Sequence, residues 1–204
     1  MKLQKILSRF LKLHPKEIDL SLDRIKLLCK KLGNPQDKIK AISVVGTNGK
    51  QSTINAIFHI LKEAKIKCNV YTSPHIQRIN ERFIFNNQEL DDDKLANIFE
   101  EVEKINDNQK ITFFEILTAC YFYKAAQYPE NISLIEAGLF HRFDATNILK
   151  KNFLDEFSKI VFLIHSVVFI EFCLDTIMFE FKSDDVFSNT IFSIVCSFSG
   201  SQSK

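Results

Sequence analysis

The sequence predicts an α/β domain with a mostly parallel sheet flanked by helices. Three observations carry this expectation. Short apolar runs alternate with segments of helical periodicity, the order that βαβ units produce. One such run, Ala41–Val45, passes straight into Gly46-Thr47-Asn48-Gly49-Lys50-Gln51-Ser52-Thr53 and then into a helical pattern. The 204 residues are 46% hydrophobic, enough for one core in one domain with an appendage.

At the N-terminus, Lys2, Lys5, Arg9 and Lys12 interleave with Leu3, Ile6, Leu7, Phe10 and Leu11, an amphipathic helix over Met1–Leu13. It lacks the unbroken apolar stretch and small-residue cleavage site of a secretory signal, and a transit peptide is the weaker alternative. Leu22, Ile25, Leu28, Cys29 and Leu32 recur at helical spacing, with Ser21 as candidate cap and Gly33 and Pro35 as the stop. Ala41–Val45 reads as a strand and Ile54–Ala64 as a helix with Ile57, Ile60 and Leu61 on one face. Cys68–Tyr71 is a second short strand, followed by a polar loop, Thr72–Asn80, around Pro74. Arg82–Phe85 alternates as a strand and turns at Asn86-Asn87. Asp91–Asp93 opens a helix reaching about Ile105, where acidic residues complement the N-terminal dipole. Thr112–Ala126 is an aromatic-rich helix and Ile132–Glu136 a further strand.

Composition narrows the function classes. A formal net charge of +2 gives no argument for nucleic acid or an acidic membrane surface. Cys29, Cys68, Cys120, Cys173 and Cys196 form no CxxC pair, so they read as reduced and mostly buried, in a cytoplasmic protein.

The segment Gly46–Thr53 points to phosphate chemistry. Gly46 and Gly49 let the backbone turn tightly and bring N–H groups close to a polyphosphate. Lys50 adds charge near the outer phosphates. Ser52 and Thr53 can bond phosphate or Mg²⁺ at a helix N-terminus, which favours anions. The spacing departs from GxxxxGK[ST], because position 44 is Val and Gln51 separates Lys50 from Ser52. By pattern alone, an ordinary strand-turn-helix corner remains the alternative.

From residue 151 the composition changes. Of the 20 Phe residues, half lie at or beyond Phe153, and no Gly occurs between Gly138 and Gly200. Residues 160–172 are nearly all apolar, broken by His165, Ser166 and Glu171. Glu171 and Asp175 disfavour a membrane span there. A buried strand-helix segment and a tail read from a shifted frame are the other readings. The expected organisation is therefore 1–150 as one nucleotide-binding domain and 151–204 as a divergent tail.

Several segments together resemble the folylpolyglutamate synthase / dihydrofolate synthase family, which groups with the Mur-type ATP-dependent amide ligases. They are Leu32-Gly33-Asn34-Pro35, Val45–Lys50 with Ser52-Thr53, Tyr71-Thr72-Ser73-Pro74-His75 with Asn80-Glu81-Arg82, Thr112-Phe113-Phe114-Glu115, and Glu136 with Asp144-Ala145-Thr146-Asn147. Order and spacing match from about residue 20 to 150, roughly the first third of a typical member. The resemblance implies a Mur-ligase-type P-loop domain using ATP and Mg²⁺ on folate or dihydropteroate and L-glutamate. ATP would phosphorylate the substrate carboxylate and the glutamate amine would attack the acyl phosphate, with positioning and charge neutralisation supplied by the protein.

It also implies roles residue by residue. Gly46, Thr47, Asn48, Gly49, Lys50, Ser52 and Thr53 would hold the nucleotide, and Ser73 and Glu136 the Mg²⁺ as hard oxygen ligands. Lys50 and Glu136 are the candidate catalytic residues. Pro74, His75 and Arg82 lie on the segment that would close over the pterin, with Phe114 and Asp144 beside it. Other readings of the same residues stay open: a solvated His75, a strand-edge Arg82, Thr112 only as a cap, and Arg142 as an ionic partner for Glu136. Phe113 and Phe114 are adjacent, so only one can face the core fully and the other is available to a ligand.

The chain departs from the family's pattern at Gln51 and at Phe140-His141, where glycines are usual. Gln51 opens a helix and can point outward; Phe140-His141 would crowd the substrate loop. After Asn147 no counterpart of the family's Asp-His pair, lysine segment or C-terminal domain follows, and His165 reads as a core histidine. The expectation is an incomplete copy of the ligase, a cytoplasmic monomer binding neither nucleic acid nor membrane. The alternative is a non-catalytic P-loop nucleotide-binding remnant.

Overall fold

The computed structural model describes residues 2–15, 21–138, 144–149 and 163–164. Chain order is α1 (Lys2–Lys12), α2 (Asp23–Lys31), β1 (Lys40–Gly46), α3 (Lys50–Glu63), β2 (Cys68–Tyr71), β3 (Phe83–Phe85), β4 (Gln88–Glu89), α4 (Asp92–Asn106), α5 (Phe113–Ala125), β5 (Ile132–Glu136) and β6 (Leu163–Ile164). The six strands form one sheet in the order β4-β3-β2-β5-β1-β6. β5 runs parallel to both β1 and β2, and β6 parallel to β1; β3 and β4 extend the sheet antiparallel. The expected mostly parallel sheet thus has a parallel centre and an antiparallel flank.

β5 is buried along its whole length because parallel neighbours lie on both sides. β1 is less enclosed than its apolar run suggests. Only Val44 is fully buried, since among the described residues just two-residue β6 lies beyond it. The β3–β4 turn uses Asn86 and Asn87 at positive φ (52° and 67°), the geometry a tight hairpin needs. Asn87 also fastens the turn to β2, accepting the Cys68 amide at 2.7 Å.

The helices pack as their periodicity requires. α1 buries Leu3, Ile6 and Phe10 against α4, where Phe10 meets Phe99 with centroids 5.5 Å apart. Its polar face makes a two-bond pairing of Arg9 with Glu103, at 2.7 and 2.5 Å. α2 starts one residue later than expected: Leu22, rather than Ser21, is the N-cap and makes no side-chain cap bond. Asp23 instead opposes the helix dipole from the first turn. The stop is as expected, with Gly33 at φ 78° and the Asn34 amide returning to the Cys29 carbonyl at 2.8 Å. Asp91 caps α4 through the Lys94 amide. Thr112 and Glu115 form a reciprocal capping box on α5.

An aromatic stack forms the centre of the core. Tyr121 lies 4.9 Å from Tyr71 and 5.5 Å from Phe85, ring on ring. Cys29, Cys68 and Cys120 are buried free thiols, and burial pushes Cys29 and Cys68 up to about 12, which leaves them unreactive. Cys173 and Cys196, the expectations on Phe140-His141 and Arg142, and the tail beyond 150 other than Leu163–Ile164 lie outside the described residues. Among the described residues, no helix is long and apolar enough to cross a membrane.

Candidate functional site

The site is built where three adjacent strands end. β1 runs out at Gly46, and the chain turns through exposed Thr47, Asn48 and Gly49 into α3. Gly49 sits at φ 76°, a conformation costly for any residue with a Cβ. α3 starts at Lys50, four residues before the expected Ile54, so Lys50, Ser52 and Thr53 lie in the helix's first turn. Gln51 and Ser52 are exposed there, as the outward-pointing reading of Gln51 requires. The Thr53 hydroxyl donates back to the Gly49 carbonyl at 3.0 Å.

β5 ends at Glu136, register-paired with Val44 of β1. β2 ends at Tyr71, two residues before Ser73. Because β5 lies between β1 and β2, these three chain ends converge. The Ser73 amide donates to Glu136 Oε2 at 2.9 Å, and Lys50 Nζ lies 3.9 Å from Oε1. Lys50 Nζ also donates to the Gly46 carbonyl at 3.0 Å, which folds the lysine over its own loop.

Glu136 is a buried carboxyl, its side chain 6% exposed. Burial holds its pKa above the ordinary glutamate value; the Ser73 amide, Lys50 and Arg82 offset part of that rise. The pairing to Lys50 is long, so Oε1 is only loosely engaged. A divalent cation suits this donor set: a carboxylate with one loosely held oxygen, beside a serine hydroxyl. No cluster of three His, Cys, Asp or Glu occurs among the described residues, so phosphate and water would complete the ion's shell.

The β2–β3 connection carries the other expected residues. The Ser73–Pro74 peptide is cis. Arg82 is buried, and its Nε donates to His75 Nδ1 at 2.9 Å. That bond assigns the neutral tautomer with the proton on Nε2. Burial and the Arg82 charge both lower the His75 pKa, which keeps the ring neutral. His75 is therefore tied to Arg82 rather than freely solvated, and Arg82 is no strand-edge charge.

Phe113 and Phe114 are both only partly buried, so neither faces the core fully. Each sits in the first turn of α5, at the edge of the packed layer. Phe114 stacks on Tyr71 with centroids 6.1 Å apart. Asp144 caps the short turn Ala145–Ile148, its Oδ1 accepting the Thr146 amide at 3.0 Å and the Thr146 hydroxyl. Its other oxygen lies against Gly138, where a Cβ would come within 2.1 Å. Tyr71 links the groups: its phenol bonds Thr118 and feels both Arg82 and Asp144.

Three residues of the site stand in the quoted motifs without a role read from sequence. Glu81 accepts three successive loop amides, Asn80 fastens the loop end to α4, and Tyr71 supports Phe114. Glu81 and Asn80 flank Arg82 in the sequence, and a carboxylate three residues after Arg78 is a local capping signal.

The chain matches no protein-family model. It is 38% identical over 139 residues to the dihydrofolate synthase/folylpolyglutamate synthase of Escherichia coli, covering 67% of this chain. It is 35% identical over 133 residues to the folylpolyglutamate synthase of Lacticaseibacillus casei. The chain spans about a third of the length of these curated relatives, 32% and 31%. Among solved structures, Escherichia coli FolC with DHPP and ADP superposes with TM-score 0.67 at 36% identity, over 72% of this chain and 36% of that one. The apo form of the L. casei enzyme gives 0.68 at 30% identity, over 73% and 38%. The Yersinia pestis bifunctional synthase, solved with AMPPNP and Mn, gives 0.65 at 32%, over 72% and 36%. The resemblance read from the motifs, and the fold it implies, therefore hold over about 70% of the chain.

Proposed function

We propose that this chain carries the nucleotide- and pterin-side part of an ATP-dependent acid–amino-acid ligase of the folylpolyglutamate synthase / dihydrofolate synthase type. Its reaction would add L-glutamate to folate or dihydropteroate through an acyl phosphate. The observation that carries the proposal is the meeting of Lys50, Ser73 and Glu136 at the ends of three adjacent parallel strands. Ligands of open parallel sheets bind at that edge, at the point where the strand order reverses.

MgATP, when bound, supplies an electrophilic phosphoryl group and a charge-neutralising cation. The amides of Gly46–Gly49 and the first turn of α3 bind and orient the phosphates, with Ser52 and Thr53 beside them. Lys50 leaves the Gly46 carbonyl to neutralise the outer phosphates. Glu136 and the Ser73 hydroxyl hold the cation, and the Ser73 amide bond keeps that carboxylate aimed. His75 offers Nε2–H, and Pro74, Arg82, Phe114 and Asp144 frame the pterin side. Residues 1–150 are the ATP-binding part and 151–204 a divergent tail. The whole is a cytoplasmic monomer.

Calorimetric titration of the full chain with ATP in Mg²⁺ tests this. Binding is expected, weakened about tenfold or more by Lys50→Ala through loss of a charge-assisted contact. No binding, or equal affinity in the variant, overturns the assignment of the loop.

The second reading is a nucleotide-binding remnant without ligase turnover. Release of ADP dependent on dihydropteroate and glutamate separates the two. Translation of the DNA past the Asn147 codon in all three frames tests the tail. A frame restoring an Asp-His pair and a lysine segment makes the tail a frameshift product.

A further inference from the structure

The segment joining β2 to β3 is anchored at both ends and held differently in between. At its start the Ser73 amide bonds Glu136 at 2.9 Å and the Thr72 amide bonds the Arg82 carbonyl at 3.2 Å. At its end buried Asn80 donates to the Leu90 carbonyl and to Asp92, each at 3.0 Å. The middle is largely exposed, and Ile76 is 82% exposed. There the Glu81 carboxylate accepts the amides of Ile76 at 2.8 Å, Gln77 at 3.0 Å and Arg78 at 2.8 Å. Successive amides converging in this way form an anion-binding concavity, filled here by the chain's own carboxylate. Further contacts also reach the middle: Arg82 to His75, Arg78 to Glu89 at 2.6 Å, and the Glu81 amide to the Arg78 carbonyl at 3.1 Å.

We propose that Glu81 is a positioning residue for the substrate. By clamping the amides of Ile76, Gln77 and Arg78, it holds residues 75–78 in the arrangement that presents His75 Nε2–H and the Ile76 side chain to the pterin-bearing carboxylic acid. This rests on the function proposed above. The clamp is separate from the nucleotide side. Neither the Ser73–Glu136 bond nor the Lys50 contacts involve Glu81, and Asn80 keeps the loop's end in place without it. Loss of the carboxylate therefore releases the amides of three successive residues in the middle of the loop while its ends stay moored. Apparent affinity falls with the fraction of loops in the competent arrangement, so a tenfold drop in that fraction weakens binding about tenfold.

The experiment compares the full-length wild type with Glu81→Ala and Glu81→Gln, and with Glu63→Ala as a control that removes an exposed carboxylate at the far end of α3. Three quantities are measured: amide hydrogen exchange at residues 76–78, dihydropteroate affinity by pterin fluorescence, and MgATP affinity by calorimetry. The expected result for Glu81→Ala is faster exchange at those amides, about tenfold weaker dihydropteroate binding and MgATP affinity unchanged within about twofold. Glu81→Gln should fall between, and Glu63→Ala should match wild type. Unchanged exchange, or faster exchange with unchanged dihydropteroate affinity, overturns the positioning role. Equal weakening of MgATP binding overturns it too, because the effect would then be general. A wild type that binds neither ligand overturns the functional reading itself, a result distinct from failure of the clamp.

Discussion

Replacing Glu136 by Gln separates a metal-holding carboxylate from a structural one, because the two roles predict opposite signs for stability. The Glu136 side chain is 6% exposed, with one amide bond from Ser73 at 2.9 Å and Lys50 Nζ at 3.9 Å. Burial is the largest influence and raises its pKa above the unfolded value. The folded protein thus binds this proton more readily than the unfolded chain does. Stability therefore falls as pH rises through the unfolded value of about 4.5 and on to the raised folded one, and the full penalty persists at neutral pH. Gln has the same shape, keeps the Ser73 bond through its amide oxygen, and carries no charge to desolvate. Solvent at the open loop screens part of the penalty, so the expected gain at pH 7.5 is on the order of 1 kcal/mol, or about 3 °C in Tm. The gain should vanish below about pH 4, where both states hold the proton. Binding should move the other way. Supporting groups around metals are each worth about 10- to 100-fold in affinity, and loss of the carboxylate ligand should weaken Mg²⁺-dependent ATP binding at least as much. The assays are thermal melts from pH 4 to 8 and ATP titrations with and without Mg²⁺. A variant that melts lower at pH 7.5, with Mg²⁺ dependence intact, would refute the reasoning and make Glu136 a structural partner of Lys50.

Two further expectations concern what holds the site in place. Arg24 Nε bonds buried Glu115 at 3.0 Å, which also caps α5 through the Thr112 amide. Arg24→Ala should cost about 2 kcal/mol in urea unfolding, because it strips a partner from a buried carboxylate; a loss below about 0.5 kcal/mol would contradict a stabilising pair. Gly138→Ala would drive a Cβ to 2.1 Å from the Asp144 carboxylate, whose other oxygen is held by Thr146. Destabilisation of about 1–3 kcal/mol is expected, together with weaker dihydropteroate binding; a variant as stable as wild type would mean that Asp144 turns aside freely.

Much of the fold was legible because local signals agreed with one another. Cys68–Tyr71 and Ile132–Glu136 were read with the bounds observed, as short apolar runs bounded by turn residues. Asp91 and Thr112 announced their helices by cap chemistry that reappears as real bonds. The misreadings share a different cause. α3 begins at Lys50 because a positive-φ Gly49 lets the helix start inside the Gly46–Thr53 segment, and no apolar residue marks that first turn. At α2, Ser21 has the right side chain, but the backbone enters the helix at Leu22. Side-chain preference at a helix start is a tendency, and backbone geometry decides the residue.

The site was legible as residue types and illegible as an arrangement. Lys50, Ser73 and Glu136 could each be picked out, yet nothing local says that they meet. Their meeting depends on β5 entering the sheet between β1 and β2, which follow one another in the chain on either side of α3. Were β2 paired directly with β1, Glu136 would end on an outer strand and its Ser73 bond could not form. The pairing that prevents this is long-range and goes with burial: β5, like β2, is buried at every residue, and between β1 and β2 it has parallel neighbours on both sides. The same choice that satisfies its apolar side chains carries a carboxyl into a buried position at its last residue. A fold selected only for stability would have little reason to retain a raised-pKa glutamate there. The proposed cation shared with phosphate would give it one, and this is why the stability gain expected of Glu136→Gln bears directly on function.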